Sequence, residues 1–213
     1  MPIILPSATT PWASMYADVV PHVPQCPTFE IEDYLRKAAT DFFRASCIWR
    51  GRDLTLLTTV ASQATYAYAL PADARLNLVH VAYDGEDEID VEEPGSELDY
   101  FPGETNTTLT IGVGEDRASF RVTPAPEAAG TVIKGTVSYI PSVDASGILT
   151  WVFNDYRHEI AAGAAAMLVI QKDRPWTAPS MYGGLMAAFN DGVTRASHLR
   201  GATRRKPIRV RPV

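Results

Sequence analysis

Ten acidic residues and no basic one stand between Asp84 and Glu104. They are Asp84, Glu86, Asp87, Glu88, Asp90, Glu92, Glu93, Glu97, Asp99 and Glu104. Three chemistries remain open for them: a solvated acidic rim, a partner or lumen surface that repels polyanions, and a calcium site. The last has hard carboxylates but no EF-hand spacing. The histidines His22, His80, His158 and His198 include no pair at i, i+4, and Cys26 and Cys47 lack metal spacing, so no metal centre is expected. His158-Glu159 reads as a surface or interface pair. The chain holds neither a G-x-S-x-G elbow nor a Walker loop, and Gly112-Val113-Gly114 suits a hairpin turn better than a phosphate cradle. These residues point to no catalysis and no cofactor.

The second unusual stretch is the end, Arg200 to Val213, which reads RGATRRKPIRVRPV and holds no acid. Its bases are Arg200, Arg204, Arg205, Lys206, Arg209 and Arg211. Pro207 and Pro212 forbid a helix across it, and Ile208 and Val210 favour an extended form. Charge alone leaves two readings open, a docking arm and a frayed, solvated terminus. Nucleic-acid binding is disfavoured, because the rest of the chain is strongly acidic and the tail has no stacking aromatics.

Periodicity gives the elements that carry these stretches. A first helix is expected over about 29–48, with Thr28 as N-cap, Ile31, Tyr34, Leu35, Ala38, Ala39 and Phe42 on its buried face, and Gly51 closing it. From Leu54 to Ile140 the period is two. Candidate strands are Leu54–Val60, Thr65–Ala69, Asn77–Tyr83, Asp87–Glu92, Thr107–Val113, Ala118–Thr123 and Thr131–Ile140. Six or seven short strands suggest a small antiparallel sandwich or barrel. A second helix is expected from Asn154 or Asp155 to about Lys172, and a third from Pro179 to about Leu199, ended by Gly201. The small side chains of Ala161–Ala166 let another helix approach closely.

The resulting fold class is α+β: an antiparallel helical bundle with an inserted small antiparallel β-sandwich or barrel module and extended N- and C-terminal arms. Its parts are an N-terminal arm at 1–27, a bundle at 28–53 and 150–200, a β-module at 54–149 and a basic arm at 201–213. No stretch is apolar enough for a membrane span, and the proline-broken start lacks the basic region of a secretory signal. Cys26 and Cys47 flank about twenty helical residues, some 30 Å, and are expected to be reduced.

Several passages together resemble the head-to-tail adaptor proteins of tailed bacteriophages. They are Ala38-Ala39-x-x-Phe42-Phe43-Arg44-x-Ser46-x-Ile48-Trp49, then Tyr66, Tyr68, Leu70-Pro71 and Val79-x-Val81. Pro124, Pro126, the strand Gly135–Ile140 and the helix Tyr156-x-x-x-Ile160-Ala161-x-Gly163-Ala164 follow, with Trp176, Tyr182, Phe189 and Ala196 last. The resemblance spans roughly residues 29–200 and implies a structural virion protein of the neck, made in the host cytoplasm. It implies a ring beneath the portal protein, typically twelve-fold, above a tail, stopper or nozzle protein, with DNA passing through the lumen without specific binding. It also implies a C-terminal arm that docks on the portal or a neighbouring subunit, here through Arg204, Arg205, Lys206, Ile208, Arg209, Val210 and Arg211. Ala161, Ala165 and Ala166 would then face a ring neighbour, and Asp84, Glu86, Asp87, Glu88 and Asp90 would form an acidic surface. A cyclic ring needs two different patches on each subunit, and an acidic body with a basic arm supplies them. The competing reading is a β-sandwich that binds carbohydrate or calcium.

Overall fold

The computed structural model describes residues 8–92 and 109–202. Along the chain run β1 (Thr9–Pro11), a 3-10 turn (Trp12–Met15), α1 (Tyr16–Val19), α2 (Thr28–Ser46), β2 (Arg50–Thr58) and β3 (Thr65–Ala67). Then come β4 (Ala74–Asp84), β5 (Asp87–Val91), β6 (Thr110–Val113), β7 (Ser119–Thr123), β8 (Val132–Pro141) and β9 (Gly147–Leu149). The chain closes with α3 (Thr150–Val169), a 3-10 turn (Pro179–Met181) and α4 (Tyr182–Ala202). It divides into a β-unit, residues 49–146, and a helical unit, residues 9–48 with 147–202.

The β-unit overturns the expected fold class. It is one seven-stranded sheet in the order β2-β8-β4-β5-β6-β7-β3, and it dominates the structure. It is not a small antiparallel module set into a helical bundle, since β5 and β6 run parallel. Each expected strand has an observed counterpart, but the assembly differs for two physical reasons. First, β4 and β8 are long, and their pairing shifts register between Leu76 and Leu78 and again between Val79 and Val81. Such bulges bend a strand and raise its twist, so the sheet curls instead of splitting into two packed layers. Second, the connection from β5 to β6 is long enough for a parallel crossover, which no two-residue turn could make. The buried core of the unit collects Leu56, Leu76, Val79, Ile111, Phe120, Val122, Ile133 and Val137, with Trp49 and Leu54 packed against them. Tyr68, just past β3, places its hydroxyl 2.9 Å from that of Tyr139 on β8. This bond links two distant strands of the sheet across its curl. Burial raises the pKa of both phenols.

In the helical unit, α2 follows its apolar spacing: Ile31, Leu35, Ala38, Ala39, Phe42 and Phe43 are buried. Its ends differ from expectation. Thr28 is the first helical residue rather than the cap, and no side chain caps that terminus. The helix stops at Cys47, whose backbone is left-handed at φ 48° and whose N–H donates to the Phe43 carbonyl at 2.9 Å. Gly51, expected to close the helix, lies inside β2. α3 starts at Thr150, ahead of Asn154, after an extended Leu149. α4 continues through Gly201.

The N-terminal segment also departs from the extended arm that its prolines suggest. β1 pairs antiparallel with β9 through Thr9 and Leu149, Thr10 and Ile148, and Pro11 and Gly147. Trp12, Met15, Val19 and Val23 are all fully or almost fully buried. α2 and α3 lie antiparallel, because Phe42 near the end of α2 meets Tyr156 near the start of α3 at 5.2 Å between ring centroids. α4 crosses α3 where Gly163 lies against the Phe189 ring: a Cβ there would come within 2.8 Å of Phe189 Cε2.

Candidate functional site

The charges separate between the two units. Residues 49–146 hold 16 acids and six bases, whereas residues 9–48 with 147–202 hold nine acids and eight bases. Five of those 16 acids sit on one hairpin. Asp84 of β4 pairs with Asp87 of β5 across a two-residue loop whose first residue, Gly85, has φ +63°. Ile89 points inward, so its neighbours Glu88 and Asp90 point out. Asp84, Glu86, Asp87, Glu88 and Asp90 are all exposed. Glu92 is drawn to Arg121 of β7. Placing Asp84 opposite Asp87 is electrostatically unfavourable within one chain. The arrangement presents a negative ridge to solvent, suited to a basic partner or to repelling a polyanion. Glu93, Glu97, Asp99 and Glu104 lie outside the described residues. Among the described residues, no three His, Cys, Asp or Glu side chains are grouped to hold a metal ion.

The alanines assigned to a subunit contact lie on α3, with Ala161 1%, Ala165 0% and Ala166 0% exposed within a single chain. His158 is on the outer face of α3, and its Nδ1 is 3.2 Å from Asp18 Oδ1 of α1. That partner lies 140 positions away and carries no sequence signal. The residues expected to dock, Arg204, Arg205, Lys206, Ile208, Arg209, Val210 and Arg211, lie outside the described residues.

One cluster escaped the sequence reading. The first turn of α2, the end of α3 and the start of α4 share one end of the helical unit, because Ala178 N–H donates to the Val169 carbonyl at 2.9 Å and Arg174 reaches Glu30 at 3.7 Å. Arg174 also lies over the Trp176 ring, 5.6 Å from its centroid. Three buried polar atoms here have no hydrogen-bond partner: Glu30 Oε2, Gln171 Oε1 and Trp176 Nε1. Burial, and then the Glu30 charge, push the Cys26 thiol up to about 11 despite Arg174, so it is a poor nucleophile. Four large apolar side chains are exposed on or next to these elements: Phe29 on α2, Ile170 just past α3, Met181 in the 3-10 turn and Tyr182 at the start of α4.

A second polar cluster ties the N-terminal segment down. The Tyr16 hydroxyl donates to Glu32 Oε2 at 2.6 Å, and Arg36 pairs with the other Glu32 oxygen. Burial first, then Glu32, push the phenol up to about 12. The fold therefore favours the neutral phenol. That preference costs no stability below pH 10, where an unfolded tyrosine is still neutral, and stability falls as pH rises from 10 toward about 12. We expect the melting temperature to drop over that window and Tyr16→Phe to flatten part of the drop. Equal slopes for the two proteins in a pH series of thermal melts would refute the assignment.

The sequence model of a family described as SU10 adaptor protein matches residues 12–211. No curated protein matched the chain.

Proposed function

The chain belongs to the SU10 adaptor protein family, a family of phage head–tail adaptors, and from that premise we propose that it forms a ring beneath the portal through which DNA passes. Its role in the particle follows directly from the family: it is a structural protein of the bacteriophage virion, an adaptor among portal and tail components. Binding and positioning are its work.

The observation that supports the ring most is the segregation of charge. The β-unit carries the acidic hairpin Asp84, Glu86, Asp87, Glu88 and Asp90, the helical unit is nearly neutral, and residues 203–213 carry five bases and no acid. An acidic surface beside passing DNA repels phosphate and keeps the duplex from sticking. A basic arm on an acidic body gives the two unlike patches that a head-to-tail ring requires. In this reading Arg204, Arg205, Lys206, Ile208, Arg209, Val210 and Arg211 contact the portal or the next subunit, with the charges steering the approach.

The test is the light-scattering mass of the chain after gel filtration, alone and mixed with the cognate portal protein. We expect comigration at about one chain per portal subunit, as a shared ring symmetry requires. Deleting residues 203–213, beyond the last described helical residue Ala202, should abolish comigration and leave the melting temperature unchanged. A lone 23.2 kDa species in the presence of the portal would overturn the adaptor reading. Undiminished comigration after the deletion would overturn the arm's part in it.

A further inference from the structure

We propose that the end of the helical unit where α2 and α4 begin and α3 ends is a docking surface for an extended, apolar and basic segment of the neck component on the tail side of this chain. The inference rests on the adaptor reading, since it needs a second component to meet.

Two independent observations mark this end. The first is apolar: Phe29 is 71% exposed, Ile170 49%, Tyr182 40% and Met181 37%. The second is polar. Trp176 is only 5% exposed, yet its indole N–H has no acceptor, and the buried oxygens Glu30 Oε2 and Gln171 Oε1 have no donor. Buried groups left unpaired in this way cost free energy that a ligand with the missing partners recovers.

The unpaired groups define that ligand. A residue in an extended strand turns its own N–H and C=O to the same side, so it suits an acceptor and a donor together, here Gln171 Oε1 and the Trp176 indole. Glu30 is a carboxylate and calls for a Lys or Arg. The exposed rings and aliphatic side chains call for apolar residues beside that cation. An acidic segment would be repelled by Glu30.

Arg174 covers these groups. Its guanidinium lies over the Trp176 ring, 5.6 Å from the centroid, and stands 3.7 Å from Glu30 Oε1. That is beyond hydrogen-bond length and the Arg174 side chain is half-exposed, so the pairing is weak and readily exchanged. A cation arriving at Glu30 displaces Arg174 and uncovers the indole N–H.

Position favours the tail-side component. α4 begins at this end, and its last described residue, Ala202, lies about 30 Å away along the helix. The basic arm, given to the portal in the reading above, therefore starts at the opposite end of the helical unit. An adaptor meets both portal and tail components. Two components on opposite sides need two separate surfaces, and this end is the second.

The test has two arms. In the first, nitrogen-15 NMR of the full chain follows the Trp176 indole N–H, identified by its absence in Trp176→Phe. The probes are acetyl-Val-Lys-Val-Lys-Val-amide and the same peptide with Glu in place of Lys. We expect the Lys peptide to shift this resonance and the Glu peptide to leave it in place. Glu30→Gln should weaken the Lys peptide by about tenfold, and Arg174→Gln should tighten it. In the second arm, photoreactive benzoylphenylalanine stands at Phe29 in assembled virions, and we expect cross-links to the tail-side component. An unmoved indole resonance, an equal response to both peptides, or weaker binding by Arg174→Gln would overturn the proposal. So would virions without cross-links from this position, or with cross-links only to the portal or to this chain, residues 203–213 included. Each of these leaves the adaptor reading standing, whereas absence of the chain from the virion neck would overturn both.

Discussion

Replacing Gly135 with valine is expected to lower stability by about 2–3 kcal/mol and disorder the seven-stranded sheet. Gly135 sits on β8, paired with Leu54 of β2 on one side and Ala82 of β4 on the other. A Cβ at this position would run into the Val81 carbonyl, and would stand 2.8 Å from Leu56 Cδ1 and 3.2 Å from Ala82 Cα. Two of these obstacles are backbone atoms of a strand fixed by its own ladder, so they cannot swing aside as a flexible side-chain tip would. Intrinsic preference argues for the opposite sign, because valine suits a strand better than glycine by up to about 1 kcal/mol. The clash outweighs that gain, since it strikes the best-anchored strand pair of the unit. For a chain of this size the expected loss corresponds to roughly 6–10 °C in the β-unit's melting temperature. Urea unfolding followed by far-UV circular dichroism checks it. Stability equal to or above that of the parent would mean that β4 and β8 do not approach this closely at Gly135.

Why the strands were legible and their assembly was not is visible in the same region. Alternation within a segment marks a strand, and Leu54–Val60, Asn77–Tyr83 and Thr131–Ile140 all carry it; the observed β2, β4 and β8 overlap each of these. Order and direction depend on which edges meet, and that information is not in any single segment. The bulges at Leu76/Leu78 and Val79/Val81 leave no turn residue to announce them. Cys47 ends α2 in a left-handed conformation that glycine usually takes, so the residue types alone point to Gly51 as the helix end. The N-terminal segment did carry a signal that its prolines obscured. Trp12, Met15, Val19 and Val23 recur at helical intervals, and all four are buried. The acidic stretch was legible because its residues lie within seven positions of one another. The cluster around Trp176 was not, because Glu30 and Gln171 come from opposite ends of the chain and only the antiparallel packing of α2 on α3 unites them.

The second large effect concerns the alanines of α3. Ala165→Leu is expected to destabilise the isolated chain by about 1–3 kcal/mol, before any question of assembly arises. Ala165 is 0% exposed, as are Ala164 and Ala166, and Gly163 beside them already touches the Phe189 ring of α4. Leucine adds three carbons to a space with no solvent-facing exit, so α4 or α2 must move outward, and the Phe42, Tyr156 and Phe189 ring cluster moves with them. Helix propensity gives no relief, because alanine already ranks above leucine. Were these alanines instead a contact between subunits, the substitution would leave the lone chain's stability unchanged and block only the ring. Thermal melting of the free chain and its comigration with the portal therefore separate the two roles of one small-residue stretch. A lower melting temperature of the free chain assigns Ala161, Ala165 and Ala166 to the packing of a single subunit. An unchanged melting temperature with lost comigration returns them to the ring interface, and would mean that α4 packs on α3 less closely than Gly163 and Phe189 indicate.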